Sequence, residues 1–132
     1  MQSQNIVPIV TTSRLRETRA FYVDLLGFEV SFEHDHYLGV RAGPAGSAEL
    51  GFMRPDADAP GTFGGLGMTF GIRVADADLE CERLRTAGAR IVQEPADMPW
   101  GARAFATVDP NGVALYVSHP IPATPEFAAC VR

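Results

Sequence analysis

The sequence predicts an α+β fold in which two βαβββ modules form a strongly curved mixed sheet around a concave cavity, with the helices outside. Three observations predict it. The order strand, helix, three strands can be read twice, about sixty residues apart. The helix stop at Leu26-Gly27 is echoed by Ala87-Gly88. Between the two copies runs a segment rich in proline and glycine, residues 54–67, with the composition of a linker. The expected layout is a single domain of 132 residues: repeat 1 about 5–53, linker 54–67, repeat 2 about 68–119 and a loosely held tail, 120–132.

Asn5 to Thr12 is a short β-rich run, and Pro8, which cannot donate to a ladder, places it at an edge or a crossing point. Leu15, Thr18, Tyr22, Leu25 and Leu26 then recur at helical spacing until Gly27. Phe28 to Phe32 reads as a strand, Glu33-His34-Asp35-His36 as a turn, and Tyr37 to Ala42 as the next strand. Gly43-Pro44-Ala45-Gly46 connects it to Ser47–Met53. In the second copy Met68 to Val74 alternates as a strand, and Asp76 or Asp78 can cap a helix whose apolar face is Ala77, Cys81 and Leu84. Arg90–Gln93, Arg103–Val108 and Val113–His119 follow as strands, the last two joined by the turn Asp109-Pro110-Asn111-Gly112. Strand alternation puts Ala48, Leu50, Phe52, Met68, Phe70 and Ile72 toward the core. Val7, Ile9, Thr11, Glu49, Gly51, Met53, Thr69, Gly71, Arg73, Ala114, Tyr116 and Ser118 then fall on the concave face.

Composition narrows the function classes. A chain of this length buries enough surface to need no metal or disulfide staple. Its apolar and charged fractions, 46% and 20%, are those of an ordinary soluble protein. No run approaches the ~18 apolar residues of a membrane span, and the first residues lack a signal pattern, so no membrane partner is expected. Cys81 falls in a helical pattern and Cys130 in the tail; neither suggests a disulfide framework, and the expected compartment is the reducing cytoplasm. A net charge of −5 argues against a nucleic-acid partner and is mildly favourable for a cationic ligand.

The single tryptophan, Trp100, stands between Pro99 and Gly101 at the mouth of an alternating run. A large aromatic on a turn is either a lid over the core or a contact for something else. Nothing in the chain resembles a nucleophile with its base.

Phe21-Tyr22 followed by Leu25-Leu26-Gly27-Phe28, the repeat, and Asp109-Pro110-Asn111-Gly112 together resemble the vicinal oxygen chelate superfamily. Its members include glyoxalases, extradiol dioxygenases, fosfomycin-modifying enzymes and bleomycin-resistance proteins. The enzymes hold a divalent metal on the concave face. Carried onto this chain, the resemblance places their ligand positions at Val7, Glu49, Thr69 and Tyr116, of which only Glu49 is a good ligand. No metal and no other cofactor is therefore expected, and enzyme activity is doubtful. His34 and His36, with Glu33 and Asp35, would need a third ligand for a rival site and read as solvated turn groups or the edge of a pocket.

Within the superfamily the nearest resemblance is to the bleomycin-resistance proteins, which sequester a drug without changing it. Val7-Pro8-Ile9 is similar to their N-terminal arm, exchanged across a homodimer at the proline. Pro99-Trp100-Gly101 with Arg103 and Asp109-Pro110 is similar to their signature. The resemblance implies a groove at the dimer interface in which aromatic side chains sandwich a flat ligand. Phe32, Tyr37, Trp100 and Phe105 are the expected walls, with Glu49, Met53, Tyr116 and His36 beside them. For Phe32 and Phe105 an ordinary core role is an equal reading. The chain departs from the pattern near Gly71 and Arg73, where those proteins carry tryptophans. The ligand implied is thus an antibiotic or an antibiotic-like peptide with planar aromatic groups, not necessarily bleomycin. The alternatives are a glyoxalase- or dioxygenase-type enzyme, with Glu49 as a base, and a small-molecule-binding module of a biosynthetic pathway, or a protein-interaction module, without a resistance role.

Overall fold

The structure is a computed structural model that describes residues 1–56 and 61–132. Asp58 and Pro60, assigned to the linker, lie outside the described residues. The chain divides into two compact units, Met1–Gly64 and Gly65–Arg132.

The first unit runs β1 (Ile9–Thr11), α1 (Leu15–Arg19), a π-helical turn (Ala20–Leu25), β2 (Glu29–His34), β3 (Tyr37–Arg41) and β4 (Glu49–Met53). Its sheet has the order β1-β4-β3-β2, with β1 parallel to β4 and the other pairs antiparallel. β1 is an edge strand, as Pro8 requires, and the Pro8 carbonyl accepts from Gly51 N at 2.8 Å. The single predicted helix is in fact α-helical only to Arg19. Leu26 N then reaches Phe21 O, an i→i+5 bond, and Gly27 closes the turn at φ 78°. This buries Tyr22 against Phe52, ring centroids 4.9 Å apart, with Val10, Leu38 and Val40 on the same face. Glu33 and His34, expected in a turn, are the end of β2, and only Asp35 and His36 form the turn.

The second unit runs β5 (Thr69–Arg73), α2 (Ala77–Thr86), β6 (Ile91–Met98), β7 (Ala102–Val108), β8 (Ala114–Pro120) and α3 (Pro125–Ala128), with sheet order β5-β8-β7-β6. Asp76 caps α2 by accepting from Leu79 N at 3.1 Å. The His119 ring accepts from Ala77 N at 2.8 Å, so this histidine belongs to the helix start rather than to open surface. α2 ends in a Schellman motif, with Ala89 N on Leu84 O, Gly88 N on Arg85 O, and Gly88 at φ 93°. Its buried residues Ala77, Cys81 and Leu84 cover the sheet face that carries Phe105, Thr107, Leu115 and Val117. Asp109, itself buried, accepts from Asn111 N and Val113 N, both at 2.8 Å, and so fixes the turn before β8.

Both sheets are mixed and neither closes on itself, which makes the fold α+β. β6 is twice its expected length, because register shifts between Ile91 and Gln93 and between Gln93 and Ala96 let the strand continue through Pro95. Ala48 and Met68 precede their strands and are exposed, so the core faces begin at Leu50 and Phe70.

Candidate functional site

Trp100 sits in the turn between β6 and β7, which Gly101 closes with its N–H on Met98 O at 3.1 Å and φ 97°. Half of the side chain is exposed, at 50%. The indole is nevertheless fixed. Its Nε1 donates to the Tyr116 hydroxyl at 2.8 Å, and the two ring centroids are 6.5 Å apart. From the other side Phe127 of α3 meets it edge-on, 6.2 Å away at 66°. The C-terminal segment is not loose here: Ile121 N bonds Gly101 O, and Thr124 N and Oγ1 both donate to Pro99 O. The sequence reading missed Phe127, although Pro125 after Thr124 is the pattern of a helix start.

Pairing register defines what surrounds Trp100 and Tyr116. Tyr116 is the partner of Gly71 on one side and Ala106 on the other; Ser118 is the partner of Arg73 and Ala104. With Ala102, Ala96 and Met98 along β7 and β6, this makes a face of small residues on which Tyr116 is the one large ring. A side chain added at Gly71 would meet nothing within 4 Å, so the space beside Tyr116 is open. Phe105 pairs with Val117 and has no exposed surface; it points to the α2 side, opposite to Tyr116. It is a core residue because strand neighbours alternate between faces.

The first unit carries a second aromatic patch. Phe32 is 57% exposed and meets the half-buried Tyr37 edge-on, 5.9 Å away. The Tyr37 ring lies across Gly51, where an added Cβ would overlap its hydroxyl and come within 3.1 Å of Ile9 Cγ1. Met53, the register partner of Tyr37, and Glu49, the partner of Arg41, share this face. His34 and His36 stack on each other 5.8 Å apart at the exposed turn. Glu33 is drawn away from that turn by Arg19, whose Nε donates to it at 2.9 Å.

Charge is concentrated on the helix side of the second unit. Arg103 donates to both oxygens of Asp78, at 2.7 and 2.8 Å, and to Asp97 at 3.0 Å. Its guanidinium holds the Asp78 carboxyl below the usual carboxylate range. Burial pushes the Cys81 thiol up. Neither group reaches the Trp100 face.

The donor set does not fit a divalent metal. Of the four superfamily positions, Val7 offers no lone pair, Thr69 only a neutral hydroxyl, and the Tyr116 oxygen already accepts from Trp100. Among the described residues no three His, Cys, Asp or Glu side chains come together as a metal site would require.

Two mixed sheets of this order, each with a helix on one face, define the class, and the sequence places the chain within it. Residues 5–117 match the profile of the glyoxalase/bleomycin resistance protein/dioxygenase superfamily, and the chain belongs to that family. TnmS3, an antibiotic binding protein from Streptomyces sp. CB03234, is similar in structure at 26% identity, with 90% of this chain and 97% of that one covered and a TM-score of 0.70. A glyoxalase/bleomycin resistance protein from the same Streptomyces strain is also 26% identical, covering 87% and 99%, with a TM-score of 0.65. A glyoxalase/bleomycin resistance protein/dioxygenase from Nocardioides shares the fold at 20% identity, covering 95% and 89%, with a TM-score of 0.75. No curated protein matches the chain in sequence. No helix among the described residues is long and apolar enough to cross a membrane.

Proposed function

We propose that this protein binds and sequesters an antibiotic, or an antibiotic-like peptide with planar aromatic groups, without a metal. The role would be resistance or self-protection in the cytoplasm. The observation that carries this reading is Trp100, half exposed yet held by Tyr116 and Phe127, a flat surface prepared in advance for a flat partner. Trp100 and Tyr116 supply one aromatic surface, and Phe32 and Tyr37, flanked by Met53, Glu49 and His36, supply another. Phe105 contributes only as the core beneath. Each stack is worth roughly 0.5–1.5 kcal/mol beyond area burial. Two or three of them with buried apolar area reach about −8 kcal/mol, or micromolar binding. The similarity to TnmS3 supports an antibiotic as the ligand class.

The groove belongs, in this reading, to a homodimer, with Pro8 marking an arm exchanged between protomers. The edge position of β1 and the exposure of Ile9 support such an arm. The chain works as one functional domain of two repeats. Two measurements test the proposal. Trp100 fluorescence is titrated with DNA-directed antibiotics of the bleomycin, mitomycin and quinoxaline-peptide types, and quenching with a micromolar or lower Kd is expected from at least one. Solution scattering should give twice the 14.2 kDa chain mass. No quenching by any of them overturns the binding role; a monomer at micromolar concentration overturns the shared groove.

A further inference from the structure

We propose that the Trp100 face selects an anionic ligand: a planar arene bearing a carboxylate or a comparable acid, which Arg73 receives. This deepens the binding role above and rests on it. The face carries Thr69, Gly71, Arg73, Ala114, Tyr116 and Ser118 from β5 and β8, and Ala96, Met98, Ala102, Ala104 and Ala106 from β6 and β7. None of these is acidic, and Arg73 is their only charge, in a chain with sixteen acidic residues.

The other arginines near acids in this unit are engaged. Arg83 binds Glu80, Arg85 binds Glu82 and Glu94, and Arg103 binds Asp78 and Asp97. In consequence Glu94 and Asp97 of β6 are drawn toward helix-side partners. Arg73 is exposed and has no hydrogen-bond or ion-pair partner among the described residues. Glu126 of α3, the one acid beside Phe127, does not pair with it.

A second donor points the same way. The Tyr116 oxygen accepts from Trp100, which leaves its own proton to give, and no acceptor for it lies among the described residues. Arg73 is one register step from the Gly71–Tyr116 pair, roughly 7 Å along the strand. The open space at Gly71 lies in between. An arene laid against Trp100 and Tyr116 would therefore have its edge beside a free guanidinium and a free phenol O–H. That is a donor set for an oxyanion.

The test compares an arene acid with its neutral amide, anthraquinone-2-carboxylate and the matching carboxamide, by Trp100 quenching at low ionic strength. The protein should bind the acid about three- to tenfold more tightly than the amide, and salt should erode that preference. R73Q should remove the preference, R73K should retain part of it, and R16Q, at an exposed arginine of α1 in the first unit, should leave it intact. Far-UV circular dichroism confirms that the variants fold. Equal affinity for acid and amide, or a preference that survives R73Q, overturns the anion site while leaving aromatic binding standing. Failure of both probes to quench Trp100 overturns aromatic binding at this face, and the anion site with it.

Discussion

Tyr116→Phe tests whether the indole is truly held. The substitution removes the one oxygen that accepts the Trp100 N–H, at 2.8 Å, and leaves the ring, the turn and the Phe127 contact in place. Because Trp100 is 50% exposed, water can replace the lost acceptor. The cost then falls in the lower part of the range for a net hydrogen bond, about 0.5–1 kcal/mol. A change of that size alters an equilibrium constant roughly two- to fivefold. It should loosen the indole without unfolding the protein. Trp100 is the only tryptophan, so its fluorescence reports this site alone. The expected result is lower steady-state anisotropy and a red-shifted emission maximum, with a urea midpoint displaced by no more than about 1 kcal/mol in stability. Unchanged anisotropy would refute the claim that the hydrogen bond fixes the ring. A stability loss of several kcal/mol would show that the hydroxyl serves the fold instead.

Four further outcomes follow from backbone geometry, burial and ion pairing. Gly65 has φ 84°, and a Cβ there would overlap the backbone carbonyl of Gly112, so Gly65→Ala should cost about 2–4 kcal/mol in urea unfolding. Gly46→Ala, at φ 95° but in open space, should cost only about 1 kcal/mol by the same measurement. A thiol reagent at mildly alkaline pH should find one fast cysteine in the native protein, the exposed Cys130, and two after denaturation, since Cys81 is buried and its thiol pushed up. Asp78 is held low in the folded state by Arg103, so its contribution is present above the ordinary Asp value of about 3.9 and is lost as pH falls through the folded value. Acid unfolding followed by circular dichroism should therefore be less steep below about pH 4 in Asp78→Asn than in the parent protein.

The parts of the fold that local chemistry dictates could be read from the residues. Asp76 caps α2, Gly27 and Gly88 end their helices with positive φ, and Asp109 organises its turn through backbone hydrogen bonds. Each is decided within a few residues. What could not be read depends on partners distant in sequence. The continuation of β6 through Pro95 requires β7 to tolerate two register shifts. The π-helical turn depends on Tyr22 finding Phe52. The order of the C-terminal segment depends on the Trp100 turn offering the Pro99 and Gly101 carbonyls.

The same distinction governs the candidate site. Alternation sorts the residues of one strand into two faces, but it does not say which face of β7 joins that of β8. Once Ala106 pairs with Tyr116, Phe105 must turn to the opposite face with Val117, however attractive its ring looks in the sequence. Charge behaves likewise. The net −5 suggested a cationic ligand, yet five of the acids in the second unit, Asp78, Glu80, Glu82, Glu94 and Asp97, are taken up by three arginines in ion pairs. Removing them leaves Arg73 as the charge that a molecule resting on Tyr116 would meet. A net charge sums over every surface of a protein, whereas a ligand responds to the one face it touches, and screening beyond about 10 Å at moderate salt makes that face decisive.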